Sequence, residues 1–119
     1  MNIAARLICA AALLSATPAL SEAVPRSGSL DNRVRTATYV ENQVFVIETD
    51  LRHSTTIHFG QGERFDAVIV GDTESFQVDP IPELGNVLTI KPHVQGASTN
   101  MTVITNRRTY SFHLREGAI

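Results

Sequence analysis

The sequence predicts an all-β protein, an antiparallel β-sandwich of about seven to nine short strands preceded by a cleaved signal peptide. Three observations carry this. Past residue 23, short apolar runs recur between Gly, Pro, Asn and Asp turn signals, at a spacing of about ten residues. Where the pattern is sharpest, apolar and polar residues alternate, which gives an extended segment one apolar and one polar face. No window beyond residue 23 carries apolar residues at helical spacing with a capping signal.

Residues 1–23 read as a leader. Arg6 gives a basic start, Leu7 to Leu14 an apolar run, and Ser21-Glu22-Ala23 small side chains at the two positions a signal peptidase reads. Cleavage is expected after Ala23, with Thr17-Pro18-Ala19 as a second candidate site. The alternative is an uncleaved anchor, but the apolar run is short of the roughly 20 residues that span a bilayer. Cys9 lies inside that run with no small residue directly before it, which does not suit lipid modification.

Residues 24–37 hold Pro25 and Gly28 and read as an extended arm. In an extended arm Arg33 and Arg35 project the same way, close to Tyr39. They could clamp a carboxylate of a neighbouring subunit through bidentate hydrogen bonds, or pair with acids of their own domain. Residues 38–119 are expected to form the β-sandwich domain. Val44 to Ile47 is rich in β-branched and aromatic residues, and Asp50 to His53 is a polar turn. Thr55, Ile57 and Phe59 alternate with Thr56 and His58 until Gly60-Gln61-Gly62. Phe65 to Val70 is apolar on both faces, so it is expected to be a central strand. Gly71-Asp72 ends it as a turn, with Gly supplying positive φ and Asp bonding nearby amides. Phe76 to Val78 is short, and Asp79 to Asn86 is expected as loop because its prolines lack a backbone donor. Val87 to Lys91 precedes Pro92. Met101, Val103, Thr105 and Tyr110, Phe112, Leu114 then alternate on either side of Asn106-Arg107-Arg108, which predicts a β-hairpin. Exposed, Val44 to Ile47 and Val68 to Val70 would be sticky edges, so both are expected to be covered.

Composition narrows the function. Without the leader the chain keeps nine of its ten Lys and Arg (Arg6 is lost) and eleven of its twelve Asp and Glu (Glu22 is lost), a net charge of −2. That balance gives no expectation of direct nucleic-acid binding. No cysteine remains to form a disulfide framework, and no later run is apolar enough to cross a membrane as a helix. His53 and His58 fall on opposite faces of an extended strand, His93 follows Pro92, and His113 is expected to face solvent. None of the four has an obvious orienting acid, and there is no G-x-S-x-G. Asp66, Asp72 and Asp79 do not read as a catalytic cluster, nor Asp72, Glu74 and Asp79 as a calcium loop. No enzyme activity, cofactor or metal is expected. A binding module for a small ligand or glycan is the alternative, but aromatic platforms are scarce, with no Trp and only Tyr39 and Tyr110 as tyrosines. Arg107 and Arg108 read first as a solvated hairpin tip.

The order Pro25, Gly28, Asp31-x-Arg33-x-Arg35 and Tyr39 resembles the opening of the TrbG/CagX family, the ninth component of VirB-type secretion machines. Further matching pieces are Thr55-x-Ile57-x-Phe59, Glu63, Gly71-Asp72, Ile90-Lys91-Pro92, Thr99 to Val103 and Arg107 to Leu114. The resemblance implies a periplasmic β-sandwich that forms rings in the envelope-spanning core of a type IV secretion or conjugation apparatus of a Gram-negative bacterium, exporting DNA or protein. It implies a homo-oligomer working with a VirB-type inner-membrane-anchored channel protein. Phe76 stands where members often have Trp, and Pro80 to Leu84 is a longer loop than usual. Members usually continue into a second β-domain that contacts a small outer-membrane lipoprotein. The sequence ends at Ile119, so that domain is expected to be absent, the lipoprotein contact is not carried over, and a non-functional truncated paralogue is a further alternative.

Overall fold

In the computed structural model, residues 22–27 and 35–117 are described, and all nine strands among them belong to three sheets. Residues 1–21 of the expected leader, together with Gly28, Asp31, Arg33 and Ile119, lie outside the described residues. Strands β1 (Arg26–Ser27) and β2 (Arg35–Thr36) pair antiparallel, so the arm doubles back on itself where a single extended run was expected.

The other seven strands are β3 (Val44–Thr49), β4 (Thr55–His58), β5 (Phe65–Val70), β6 (Phe76–Pro80), β7 (Val87–Pro92), β8 (Ser98–Thr105) and β9 (Thr109–Glu116). They form a four-stranded sheet in the order β3-β9-β8-β5 and a three-stranded sheet in the order β4-β7-β6. All pairs are antiparallel except β3 and β9, which run parallel with Val44 opposite Ser111 and Thr49 opposite Glu116. The four-stranded sheet is therefore mixed, while the three-stranded sheet is purely antiparallel.

The predicted hairpin is β8–β9, with Met101 opposite Phe112 and Val103 opposite Tyr110. Its alternation sends Met101, Val103, Phe112 and Leu114 inward, all of them buried. There they join Phe45 of β3 and meet Phe59, Phe76, Leu88 and Ile90 from the other sheet. Burying these side chains, at about 1.5–3 kcal/mol for each large apolar one, holds the two layers together.

Three expectations change. β5 is the outer strand of its sheet, not a central one. Its two-faced apolar pattern arises from an inward face plus an exposed Ile69 rather than from neighbours on both sides. Asp79 and Pro80 lie within β6, and Pro80 is opposite Leu88. Proline is tolerated there because β6 is an edge strand with no further ladder to serve. Gly71 does not have positive φ. A Cβ at Gly71 would collide with the side chains of Asn100 and Thr99, so a larger residue there must push those β8 side chains aside.

Candidate functional site

At the β8–β9 tip the chain builds a rigid pole around one buried carboxylate. Glu63, only 4% exposed, accepts hydrogen bonds from Tyr110 Oη at 2.7 and 2.9 Å, from Thr105 Oγ1 at 2.8 Å and from the Gly60 amide at 3.0 Å. Burial raises its pKa, but the bonds from Tyr110, Thr105 and Gly60, with help from the Arg108 charge, outweigh that and hold the carboxyl below its ordinary value. Burial and the Glu63 bond push Tyr110 up to about 12. Thr105 Oγ1 also accepts the amides of Arg107 and Arg108, which fixes the tip. Asn106 bonds the Arg64 amide and the Gly62 carbonyl, tying the tip to the turn before β5. No local sequence signal marks Glu63 as buried. Its side-chain partners, Thr105 and Tyr110, stand 42 and 47 residues away.

Tyr39 belongs to this pole. Its hydroxyl donates to the Thr109 carbonyl at 3.1 Å, its ring meets Tyr110 edge-on at 5.2 Å, and the Arg108 guanidinium lies over it at 4.7 Å. Tyr39, Glu41, Asn42, Gln43, Arg107, Arg108 and Ser111 line a depression of about 560 Å³. Arg35 points elsewhere, with its guanidinium 3.4 Å from Glu48, which also receives Arg115 at 3.6 Å. The structure thus separates Arg35 from Tyr39, while Arg33 lies outside the described residues. Ala23 forms a parallel bridge to Phe45: its amide donates to the Val44 carbonyl and its carbonyl accepts from the Val46 amide, both at 2.8 Å.

His113 is not simply solvent-facing. Its Nε2 is 2.7 Å from Ser98 Oγ and its Nδ1 is 2.9 Å from Glu22. The Ser–His–Glu sequence of contacts has the connectivity of a hydrolytic triad, and sequence reading misses it because Glu22 and His113 are 91 residues apart. Ser98 is exposed, and the three residues lie outside both the depression at the tip and the larger groove between the sheets. Glu22 also falls on the leader side of the expected cleavage after Ala23. The contact ties Glu22 to β9. Among the described residues no group of three His, Cys, Asp or Glu is placed to hold a metal ion.

That larger groove is open, measures about 910 Å³ and runs between the free edges of the two sheets. Phe65, Val68 and Val70 of β5 form one wall and Phe76 and Val78 of β6 the other, with Arg64 and His93 also lining it. Beyond Val70, the Asp72 carboxylate accepts the amides of Glu74 and Ser75, and hydrogen bonds from Ser75 hold it below its ordinary pKa. Glu74 is exposed on that pinned turn.

Comparison with known proteins gives consistent matches. The family model described as "CagX: Conjugal transfer protein" matches residues 32–118. The type IV secretion system protein PtlF of Bordetella pertussis is 30% identical over 125 residues, covering 94% of this chain and 45% of the relative. The PtlF homologue of Bordetella parapertussis matches with the same figures. The chain thus spans about half the length of the curated relatives it matches. Among solved structures, domains 4 and 5 of the S-layer protein SbsC match with a TM-score of 0.45 and 14% identity, over 60% of this chain and 47% of that one. That likeness is too loose to bear on function.

Proposed function

We propose a structural role inside a secretion or conjugation machine for this chain, which belongs to the CagX family of conjugal transfer proteins. On this reading the leader is removed after Ala23, and residues 38–119 act in the periplasm as a ring-forming β-sandwich module of the envelope-spanning core. Neighbouring copies and an inner-membrane-anchored channel protein are its partners, and substrate chemistry is not its task. The observation that carries the reading is the free edge of β5. An apolar strand with Ile69 57% exposed, beside an open groove, is a surface that proteins normally cover. Arg33, Arg35 and Tyr39 are proposed as a further subunit-contact strip. The Arg35–Glu48 ion pair is exposed enough to be exchanged for a partner carboxylate at small cost.

The test is to express the chain with its own leader, recover it from the periplasm, and measure its mass by light scattering and electron microscopy, alone and with the channel protein of its system. Multimers, or a stable complex with the channel protein, are expected. A monomer that ignores the channel protein would sink the reading. The groove also gives a small-ligand module one supporting observation, and a melting-temperature shift with a small-molecule or glycan panel, absent from a Val68→Lys variant, would favour that instead.

A further inference from the structure

The two ends of β5 carry unlike charges on rigid turns. At the Phe65 end stand Arg64, Arg107 and Arg108, and at the Val70 end the Asp72–Ser75 turn presents Glu74. The strand between them has six residues, so the ends are about 20 Å apart. Arg107 and Glu74 are both exposed, and neither has an ion-pair partner among the described residues. Both are held by backbone bonds rather than left on loose loops: Thr105 Oγ1 fixes the amides of Arg107 and Arg108, and Asp72 fixes those of Glu74 and Ser75. Three counter-charges stand at that end: Glu63 is buried and committed to Tyr110 and Thr105, Asp66 is exposed on β5 beside Phe65, and Glu41 lines the depression with Arg107 and Arg108, which leaves those three lining residues a formal charge of +1. His93 adjoins the acidic turn, through its amide's bond to the Ser75 carbonyl.

We infer that the Tyr39–Arg107–Arg108 depression receives the Glu74 turn of a second copy, in a head-to-tail contact. The depression suits a carboxylate. Arg107 offers an exposed guanidinium, Arg108 is pre-positioned by stacking on Tyr39, and Asn42, Gln43 and Ser111 add hydrogen-bonding groups around them. A contact that joins one end of a subunit to the other end of the next is heterologous, and such contacts close into rings when the rotation allows. The inference rests on the ring-forming reading above and specifies which surface carries it.

A charge-swap pair tests it. Arg107→Glu takes the depression's formal charge, over Glu41, Arg107 and Arg108, from +1 to −1 and leaves the Arg108–Tyr39 stack in place. Glu74→Arg replaces the turn's exposed carboxylate with a guanidinium and leaves Asp72, the turn's own fixing residue, untouched. Each variant alone should raise the concentration needed for assembly by about tenfold or more, because like charges then face each other. An equimolar mixture should assemble again in alternation, since the reversed tip of one variant meets the reversed turn of the other, and the unaltered tip of the second meets the unaltered turn of the first. Circular dichroism and melting temperature of each variant establish that it is folded. Should Arg107→Glu unfold the domain, Arg107→Gln with Glu74→Gln replaces the swap and should give a partial loss without rescue on mixing. Assembly of wild type together with undiminished assembly of both variants, or losses that mixing does not repair in the swap pair, would overturn the contact while leaving the ring reading standing. Failure of wild type to assemble would instead strike the ring reading itself.

Discussion

The four-stranded sheet ends in two edge strands, β3 and β5, that have nearly the same composition and opposite surroundings. VFVIET and FDAVIV are both apolar on two faces. In β3 both faces are buried: Phe45 is 5% exposed toward the core and Val46 2% exposed on the opposite side. Its outer backbone groups are engaged by Ala23, and Glu48 on the same face pairs with Arg35 and Arg115. In β5 the outward Ile69 is 57% exposed and the inner wall opens on a groove. A protein can disarm a sticky edge by covering it with its own chain or by reserving it for another. With Ala23 retained, this sheet does the first on one side, and on the proposed reading the second on the other; cleavage after Ala23 takes that backbone cover from β3.

Both edges rest on one core, and that premise is the first to try to break. Phe76 under the open groove and Phe45 under the closed edge belong to the same buried cluster. Phe76→Ala and Phe45→Ala should each cost about 3–5 kcal/mol, by lost burial plus a cavity. Urea unfolding should give one transition for both variants. A much smaller loss for Phe76→Ala would mean that the groove side is a separate, looser unit.

Next in size is the pole that anchors the sheet's hairpin tip. Glu63→Ala strands the hydroxyls of Tyr110 and Thr105, for an expected loss of about 2–4 kcal/mol. The same carboxylate gives the fold a pH signature. Its folded pKa lies below the ordinary 4.5. Its contribution is therefore present above that ordinary value and is lost as pH falls through the lower folded value. Stability of wild type should decline with acidification below about pH 4.5, and Glu63→Gln should flatten that limb. A variant whose acid limb matches wild type would show that the charge on Glu63 is not what the tip depends on.

Smaller still is the cover on β3. A chain beginning at Leu20 keeps Ala23 and its two backbone bonds to β3, whereas one beginning at Val24 has lost them. The longer form should be more stable by about 1–2 kcal/mol. Equal stabilities would show that the bridge adds nothing to the fold. The mature N-terminus, read by mass spectrometry, decides which form the cell makes.

Much of this fold is legible in the sequence, and the part that is not has a common cause. The β8–β9 hairpin can be read because alternation and turn chemistry are local, and both layers follow from such runs. The edge position of β5 cannot. An apolar strand between two neighbours and an apolar strand awaiting a neighbour have the same sequence, because each must suit a covered state. The parallel pairing of β3 with β9, the Glu63–Tyr110 bond and the Glu22–His113 contact join residues far apart in the chain, and no local pattern encodes them. Gly71 looks like a turn residue in sequence, yet what favours glycine there is the side chains of Thr99 and Asn100 on β8, its neighbours in space, not a turn dihedral. Of the proposed contact residues, Tyr39 groups by sequence with the arm's arginines but sits with Arg108 instead.

The smallest effect on stability gives the sharpest test of the open edge. Ile69 points away from the core and is more than half exposed, so Ile69→Lys removes little burial and should change unfolding free energy by no more than about 0.5 kcal/mol. A lysine on an edge strand opposes pairing with another strand, because its charge would have to be desolvated beside the new neighbour. If β5 is reserved for a partner, the variant should keep its melting temperature and lose assembly or channel-protein binding. The matching change on the closed edge, Val46→Lys, places a charge at a buried position and should unfold the domain outright. A stable Ile69→Lys protein that assembles like wild type would mean that β5 needs no cover, and the contrast between the two edges would be one of packing alone.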